Sequence, residues 1–323
     1  MLTAETAVDH LRSRGVLAAG GTATLLAGGV SGVVVLVSAG ERRLVVKQAL
    51  DRLGVATEWR AKPERLLTEA AALSLLHSLT PAHTPSMVDV DPAALVLTMT
   101  GAPAGWQSWK SVLLDEPPSG ARFAGVAATL GRILGAWHRA TAGDASVAAR
   151  FADYEAFEQL RVAPFHRFVR SRHPALRAAI DACVDDLTSA RECLVHGDFS
   201  PKNVLVGPDG GLWVLDFEVA HVGAAVFDLA FLQCHLLLKA VHRPAAATAL
   251  RGAAAAFLAA YGPAPVDRLG WHTACLLLSR VDGKSPADYL TADGRAQVRV
   301  SAVRALAASA SPTIEELWEE VGG

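Results

Sequence analysis

The sequence predicts an α+β fold of two unequal lobes, a small antiparallel-sheet lobe followed by a larger, mainly helical one. Three observations predict it. Two β-branched runs, Val33 to Val37 and Leu44 to Val46, flank the polar segment 38–42 in the manner of a hairpin. Most of the chain beyond residue 120 repeats its apolar residues at helical spacing. One segment, 193–222, breaks that pattern with two short apolar strands, Val204 to Val206 and Leu212 to Leu215, joined by Gly-Pro-Asp-Gly-Gly and flanked by acid-bearing loops. A domain boundary near residue 100 divides the chain into 1–99 and 100–323.

The elements follow in order. Residues 4–14 form a short helix. Gly28-Gly29-Val30-Ser31-Gly32 enters the first strand, and its glycines allow the backbone to lie against a ligand. A polar connection over 51–63 contains Trp59. From Glu64, apolar residues Leu66, Leu67, Ala70, Leu73, Leu76 and Leu79 mark a helix to 79 that carries Glu69. Met87 to Val90 and Ala94 to Met99 are two more strands about Asp91-Pro92, and 98–106 is a connector. Helices are expected over 120–141, 151–168, 174–191, 225–240, 245–261, 266–280 and, last, 294–308.

Composition excludes several classes. The chain has 323 residues, 51% of them hydrophobic and 19% charged, which is globular rather than disordered and large enough to fold without disulfide or metal staples. Thirty basic against thirty-two acidic residues, with no block of one sign, disfavour a nucleic-acid partner. An anionic nucleotide needs only a few placed cations and N–H groups. Cys183, Cys193, Cys234 and Cys275 form no CxxC pair and read as buried thiols of a reducing compartment. The apolar run 224–240 is interrupted by Asp228, Gln233, His235 and Lys239, and the N-terminus has no uninterrupted apolar core. No membrane partner and a cytoplasmic location are expected.

The chemistry concentrates in His196-Gly197-Asp198-Phe199-Ser200-Pro201-Lys202-Asn203, followed by Asp216-Phe217-Glu218. Phosphoryl transfer needs a carboxylate on the attacking hydroxyl and oxygen ligands for magnesium. Asp198 suits the first task; Asn203 and Asp216, at the two ends of the intervening hairpin, suit the second. Glu218 either assists the metal or caps the following loop. Asp228 starts the next apolar helix as a first-turn acid. Upstream, Lys47 ends a β-branched strand and Glu69 lies on the next helix, a cation and carboxylate pair suited to nucleotide phosphates.

This pattern resembles the aminoglycoside phosphotransferase and choline kinase superfamily over residues 22–282, most specifically at 196–218. The resemblance implies a bilobal protein-kinase-like fold, with 1–99 the nucleotide-binding lobe and 100–323 the catalytic and substrate-binding lobe. It implies a magnesium-dependent kinase that moves the γ-phosphate of ATP to a hydroxyl of a small molecule. Asp198 is then the catalytic aspartate, His196 a buried organiser of its loop, and Asn203 and Asp216 the metal ligands with Glu218. Asp228 braces the catalytic loop. Lys47, held by Glu69, meets the phosphates, beneath a loop formed by Gly28, Gly29, Ser31 and Gly32. The strand with Leu97 and Met99 presents main-chain groups to adenine. Gly197, where many protein kinases have arginine, disfavours protein substrates.

The region Lys47-Gln48-Ala49-Leu50 to Glu58-Trp59 is similar to methylthioribose kinases, which points to a sugar or sugar-like acceptor. An aminoglycoside or amino-alcohol acceptor, or a non-catalytic ATP-binding regulator, is the alternative. Arg280 is either part of a solvated turn or a ligand for a sugar hydroxyl or carboxylate. Trp59, Trp106 and Trp109 lie near expected ligand-covering edges, and Trp137 and Trp213 are expected in the core. Either a monomer or a homodimer fits.

Overall fold

The computed structural model describes residues 1–18, 20–26, 32–51, 61–263 and 268–322. It is a bilobal α+β structure with an N-terminal antiparallel sheet and a helix-rich C-terminal lobe, the architecture of protein kinases. Two compact units make it up: Met1–Gln107 with Leu205–Ala220, and Ser108–Val204 with His221–Gly323.

The first unit is built on a five-stranded sheet. Its strands are β1 (Thr22–Leu25), β2 (Gly32–Ala39), β3 (Arg42–Ala49), β4 (Met87–Asp91) and β5 (Val96–Thr100), in the order β1-β2-β3-β5-β4 and antiparallel throughout. Alternation decides what each face carries. Val35, Val37, Leu44 and Val46 pack with Leu2 and with Ala7 and Leu11 of the first helix, α1 (Ala4–Ser13). Each buried side chain of this size contributes about 1.5–3 kcal/mol. Lys47, one residue beyond Val46, points to the opposite face and meets Glu69 of α2 (Arg65–Leu79). β2 approaches β3 so closely that a Cβ on Gly32 would meet the Gln48 carbonyl oxygen at 2.8 Å.

The second unit begins with α3 (Trp109–Asp115), α4 (Gly120–Thr141), α5 (Ala145–Arg150) and α6 (Glu155–Phe157). A π-helix over Glu158–Arg167 leads into α7 (Phe168–Arg172), and α8 spans Arg177–Ser189. After the loops that carry the acids come α9 (Val226–His242), α10 (Ala247–Tyr261), α11 (Leu269–Asp282), α12 (Ala292–Ala307) and α13 (Ile314–Gly322). The long apolar stretch of α9 is an inner helix, buried on nearly every side from Phe227 to Ala240. No helix among the described residues is long and apolar enough to cross a membrane.

Three departures from sequence expectation have physical causes. The single helix expected over 151–168 is broken, and its second part is π-helical. Pro164 has no N–H for the Leu160 carbonyl that an α-helix would pair with it. That carbonyl instead accepts from Arg161 Nη1 at 2.7 Å. Second, the expected 98–106 connector leads through a two-residue strand, Gln107–Ser108, into α3, whose N-cap Ser108 Oγ accepts from Lys110 N. Third, α13 lies beyond the last expected helix and buries Leu317, Trp318 and Val321. Trp318 Nε1 donates to Gln233 Oε1 at 3.0 Å.

Candidate active site

In the first unit the sheet, α2 and the 216–218 loop bring Lys47, Glu69, Asp216 and Glu218 together. Lys47 Nζ lies 2.7 Å from Glu69 Oε2, 2.5 Å from Asp216 Oδ1 and 3.9 Å from Glu218 Oε2. Only Asp216 keeps appreciable exposure. Its φ of 72° is a left-handed conformation uncommon for a non-glycine residue. Burial acts to lower the Lys47 pKa, but Asp216, then Glu69 and Glu218, outweigh it and raise the pKa well above the ordinary value. Burial also pushes Glu69 up to about 7, against the attraction of Lys47.

Arg65, to which sequence reasoning gave no role, completes this cluster. It sits four residues before Glu69, on the same helical face. Its Nε donates to Glu218 Oε2 at 3.1 Å, while its other nitrogens donate to the carbonyls of Leu50, Ala61 and Lys62. Glu218 is therefore fixed by a buried guanidinium.

Glu69, Asp216 and Glu218 each offer an oxygen within 4.8 Å of the others. An all-oxygen donor set suits a hard divalent cation such as magnesium. Three carboxylates against Lys47 and Arg65 leave an excess of negative charge when all are ionised, so the residues fit such an ion. Glu69 belongs to this group in addition to pairing with Lys47.

In the second unit the catalytic-type loop leaves the strand Cys193–Val195, which pairs with His221–Gly223. Asp228, fully buried in the first turn of α9, braces the loop: its carboxylate accepts from His196 N at 2.7 Å and Gly197 N at 2.9 Å. Gly197 has φ 77°, which lets both N–H groups reach one carboxylate. Burial acts to raise the Asp228 pKa, but His138, at 3.3 Å, and the His196 N–H hold it below the usual range. His196 is buried, and its Nδ1 accepts from Asp198 N at 3.1 Å.

The Asp198 carboxylate is held from three directions. Oδ2 accepts from Asn203 Nδ2 at 2.8 Å and lies 2.9 Å from Arg161 Nη2 and 2.8 Å from Lys202 Nζ. Asn203 Nδ2 also reaches the Asp198 carbonyl, which leaves the amide oxygen of Asn203 as its hard donor. Arg161 Nε donates to the Gly197 carbonyl at 2.8 Å. The guanidinium that satisfies Leu160 beside Pro164 thus also fixes the loop. In the sequence Arg161 reads only as one charge among several, because nothing local links it to residue 198.

The remaining expected site residues fall elsewhere. Leu97 and Met99 sit in β5, a central strand paired with β3 and β4, so the ladders engage their main chain and leave it unavailable to a base. Trp109 is fully buried and cannot cover a ligand; Trp106 packs edge-on against Trp213 at 5.5 Å, and Trp213 is only half-buried. Arg280 is half-buried near the end of α11, with Nη1 on the Ser285 hydroxyl at 2.8 Å. Gly28, Gly29, Ser31 and Trp59 lie outside the described residues.

A kinase-like bilobal protein with these two clusters has a definite affiliation. The sequence pattern of the phosphotransferase enzyme family (APH) matches residues 22–272, and the chain belongs to that family. The fold is also that of an amicoumacin kinase in complex with AMP-PNP and Ca2+, at 13% identity and TM-score 0.59, covering 98% of this chain and 100% of that one. A choline kinase from Streptococcus pneumoniae matches at 16% identity and TM-score 0.55, with 94% and 98% covered. A streptomycin–ATP complex of an aminoglycoside phosphotransferase matches at 14% and 0.53, with 95% and 96% covered. No curated protein matches the sequence. Acceptors this different on one fold mean that the fold does not choose among them.

Proposed function

We propose that the protein transfers the γ-phosphoryl group of ATP to a hydroxyl of a small molecule, a sugar or sugar-like metabolite. The observation that carries this reading is the Asp198 carboxylate, buried and held by Asn203, Arg161 and Lys202 on a loop that Asp228 braces. The acceptor oxygen attacks the γ-phosphorus, the bond to the β–γ bridging oxygen breaks, and the hydroxyl proton passes to Asp198. The products are ADP and a phosphate monoester. With Arg161 and Lys202 paired to it, the main work of Asp198 is to orient the hydroxyl as the bond forms.

Lys47, steered by Glu69, neutralises nucleotide phosphates. Asp216, Glu218 and Asn203 are the residues assigned to magnesium, with Glu69 available from the same acidic group. When bound, the ion shields the charge of the transferred phosphate. Lys202, whose side chain is 53% exposed, can leave Asp198 for a phosphate oxygen.

The test is a mass-spectrometric transfer screen with ATP and magnesium over methylthioribose, other free sugars, choline, related amino alcohols, homoserine and aminoglycosides. Asp198→Asn is run beside the unaltered protein. The expected result is a product one phosphoryl group heavier, with turnover falling about 100- to 10,000-fold in the variant while nucleotide still binds. Equal turnover by the two proteins would remove Asp198 from the chemistry. Nucleotide binding without transfer to any acceptor would favour the regulator.

A further inference from the structure

Helix α9 carries Phe231, His235 and Lys239 at i, i+4 and i+8, a stripe along one face. A chain of side-chain contacts links that stripe to Asp198 within the second unit. Arg161, bonded to Asp198, places its guanidinium carbon 5.7 Å from the centre of the Phe231 ring. Phe231 packs edge-on against His235 at 5.0 Å, and Lys239 Nζ donates to the His235 carbonyl at 3.3 Å. Lys239 also stands 5.5 Å from the ring centre of Tyr289.

Lys239 is 1% exposed, and among the described residues no carboxylate pairs with it, with Arg280 or with Lys110. Lys110 and Arg280 act on Lys239 as like charges, and on His235 together with Lys202. Nearby acids are committed or turned to solvent: Asp282 takes Arg299 and His173, and Asp288 is exposed. Arg280 Nε and the hydroxyl of Tyr289, whose ring Lys239 faces, are buried without a hydrogen-bond partner. A buried ammonium with two half-buried cations acting on it, and with unfilled donors nearby, is completed by an anion. Burial first, then Lys110 and Arg280, bring the Lys239 pKa down to about 7, and an anion would restore its charge.

We propose that Lys239 and Arg280, with Lys110 and the Tyr289 hydroxyl, form a subsite for an anionic group on the acceptor, a carboxylate or a phosphate ester. The inference rests on the phosphotransfer reading and narrows its substrate class to hydroxylated acids or sugar phosphates. Phe231 and Lys239 are two turns apart, about 12 Å of helix rise, and the lysine stem leans back toward the N-terminus. The hydroxyl and the anion are therefore several bonds apart in the acceptor. Polycationic acceptors are rejected here by repulsion.

The experiment has a binding arm and a transfer arm, both on the full chain. Binding of inorganic phosphate and of gluconate is measured by calorimetry at pH 6.5 for the unaltered protein, Lys239→Met, Arg280→Gln and Lys47→Met. Phosphate held by Lys47 is thereby separated from phosphate held on α9. Expected is at least a 10-fold loss of affinity in Lys239→Met and Arg280→Gln, with binding retained in Lys47→Met. Unchanged affinity in both α9-side variants, or loss confined to Lys47→Met, overturns the subsite. Arg280→Gln, at a half-buried position, keeps the test decisive should Lys239→Met not fold.

The transfer arm compares gluconate with glucose, and glucose 6-phosphate with glucose, with kanamycin as a polycation. A preference for the anionic member, with KM raised about 10-fold by Lys239→Met and kcat little changed, supports the proposal and tells carboxylate from phosphate ester. Transfer only to neutral or polycationic acceptors, with KM indifferent to Lys239→Met, removes the subsite and leaves the kinase. Lys239-dependent anion binding with no transfer to anything does the reverse.

Discussion

In the first unit two buried cations, Lys47 and Arg65, meet three carboxylates at hydrogen-bonding or ion-pair distance. Along α9, Lys239 is buried as deeply and meets none among the described residues. The two regions have met the cost of buried charge differently. One closes its charges within the fold, with an acidic excess suited to a metal ion. The other leaves Lys239 buried with no carboxylate at pairing distance among the described residues. Removing a cation should therefore harm the first region and relieve the second.

The largest effect is expected at Arg65. Arg65→Met strands Glu218 in the interior and vacates three carbonyls, and should destabilise by about 3–5 kcal/mol in chemical denaturation. Arg65→Met with Glu218→Leu should recover part of that loss, because the stranded charge is gone. If the double variant is no more stable than the single one, charge closure is not what Arg65 supplies.

A smaller effect of opposite sign is expected on α9. Without added anion near neutral pH, Lys239→Met should stabilise the protein by roughly 1 kcal/mol, since it keeps the apolar stem and removes the charge that burial penalises. A marked destabilisation would mean that the ammonium's contact with Tyr289 outweighs its desolvation.

The smallest effect is a slope. Folded Lys239 has a pKa of about 7, whereas its ordinary value is 10.5. Between the two the unfolded chain holds a proton that the folded chain has released, so the Lys239 contribution to stability rises as pH goes from about 7 to 10. His235, Cys234, Lys110, Arg280 and Tyr289 surround this group. Stability against pH should be flatter in Lys239→Met than in the unaltered chain. Parallel profiles would show that Lys239 titrates alike in both states.

Spacing made some of this legible. His196, Asp198, Asn203 and Asp216 stand out because a loop, a hairpin and a second loop are contiguous in the chain. Lys47 and Glu69 follow from a strand and the helix after it. The helix α13 was equally readable, with Ile314, Leu317, Trp318 and Val321 at helical spacing, although it was not expected. β1 was not readable, because its four residues are mostly exposed and show no alternation, and pairing with β2 alone makes them a strand. Arg161 gave no signal either: its partner is 37 residues away, and a proline's missing N–H helps to aim it.

The sequence by itself determined the two-lobed α+β class, the loop that carries Asp198, and the residue types suited to phosphate and magnesium, because these depend on period and on short spacings. Only the tertiary structure decided which charges are closed and which are open. Arg65 finds Glu218, Arg161 finds Asp198, and Lys239 finds no acid among the described residues, because a side chain's electrostatic partner is set by how distant segments pack and by the water that packing removes.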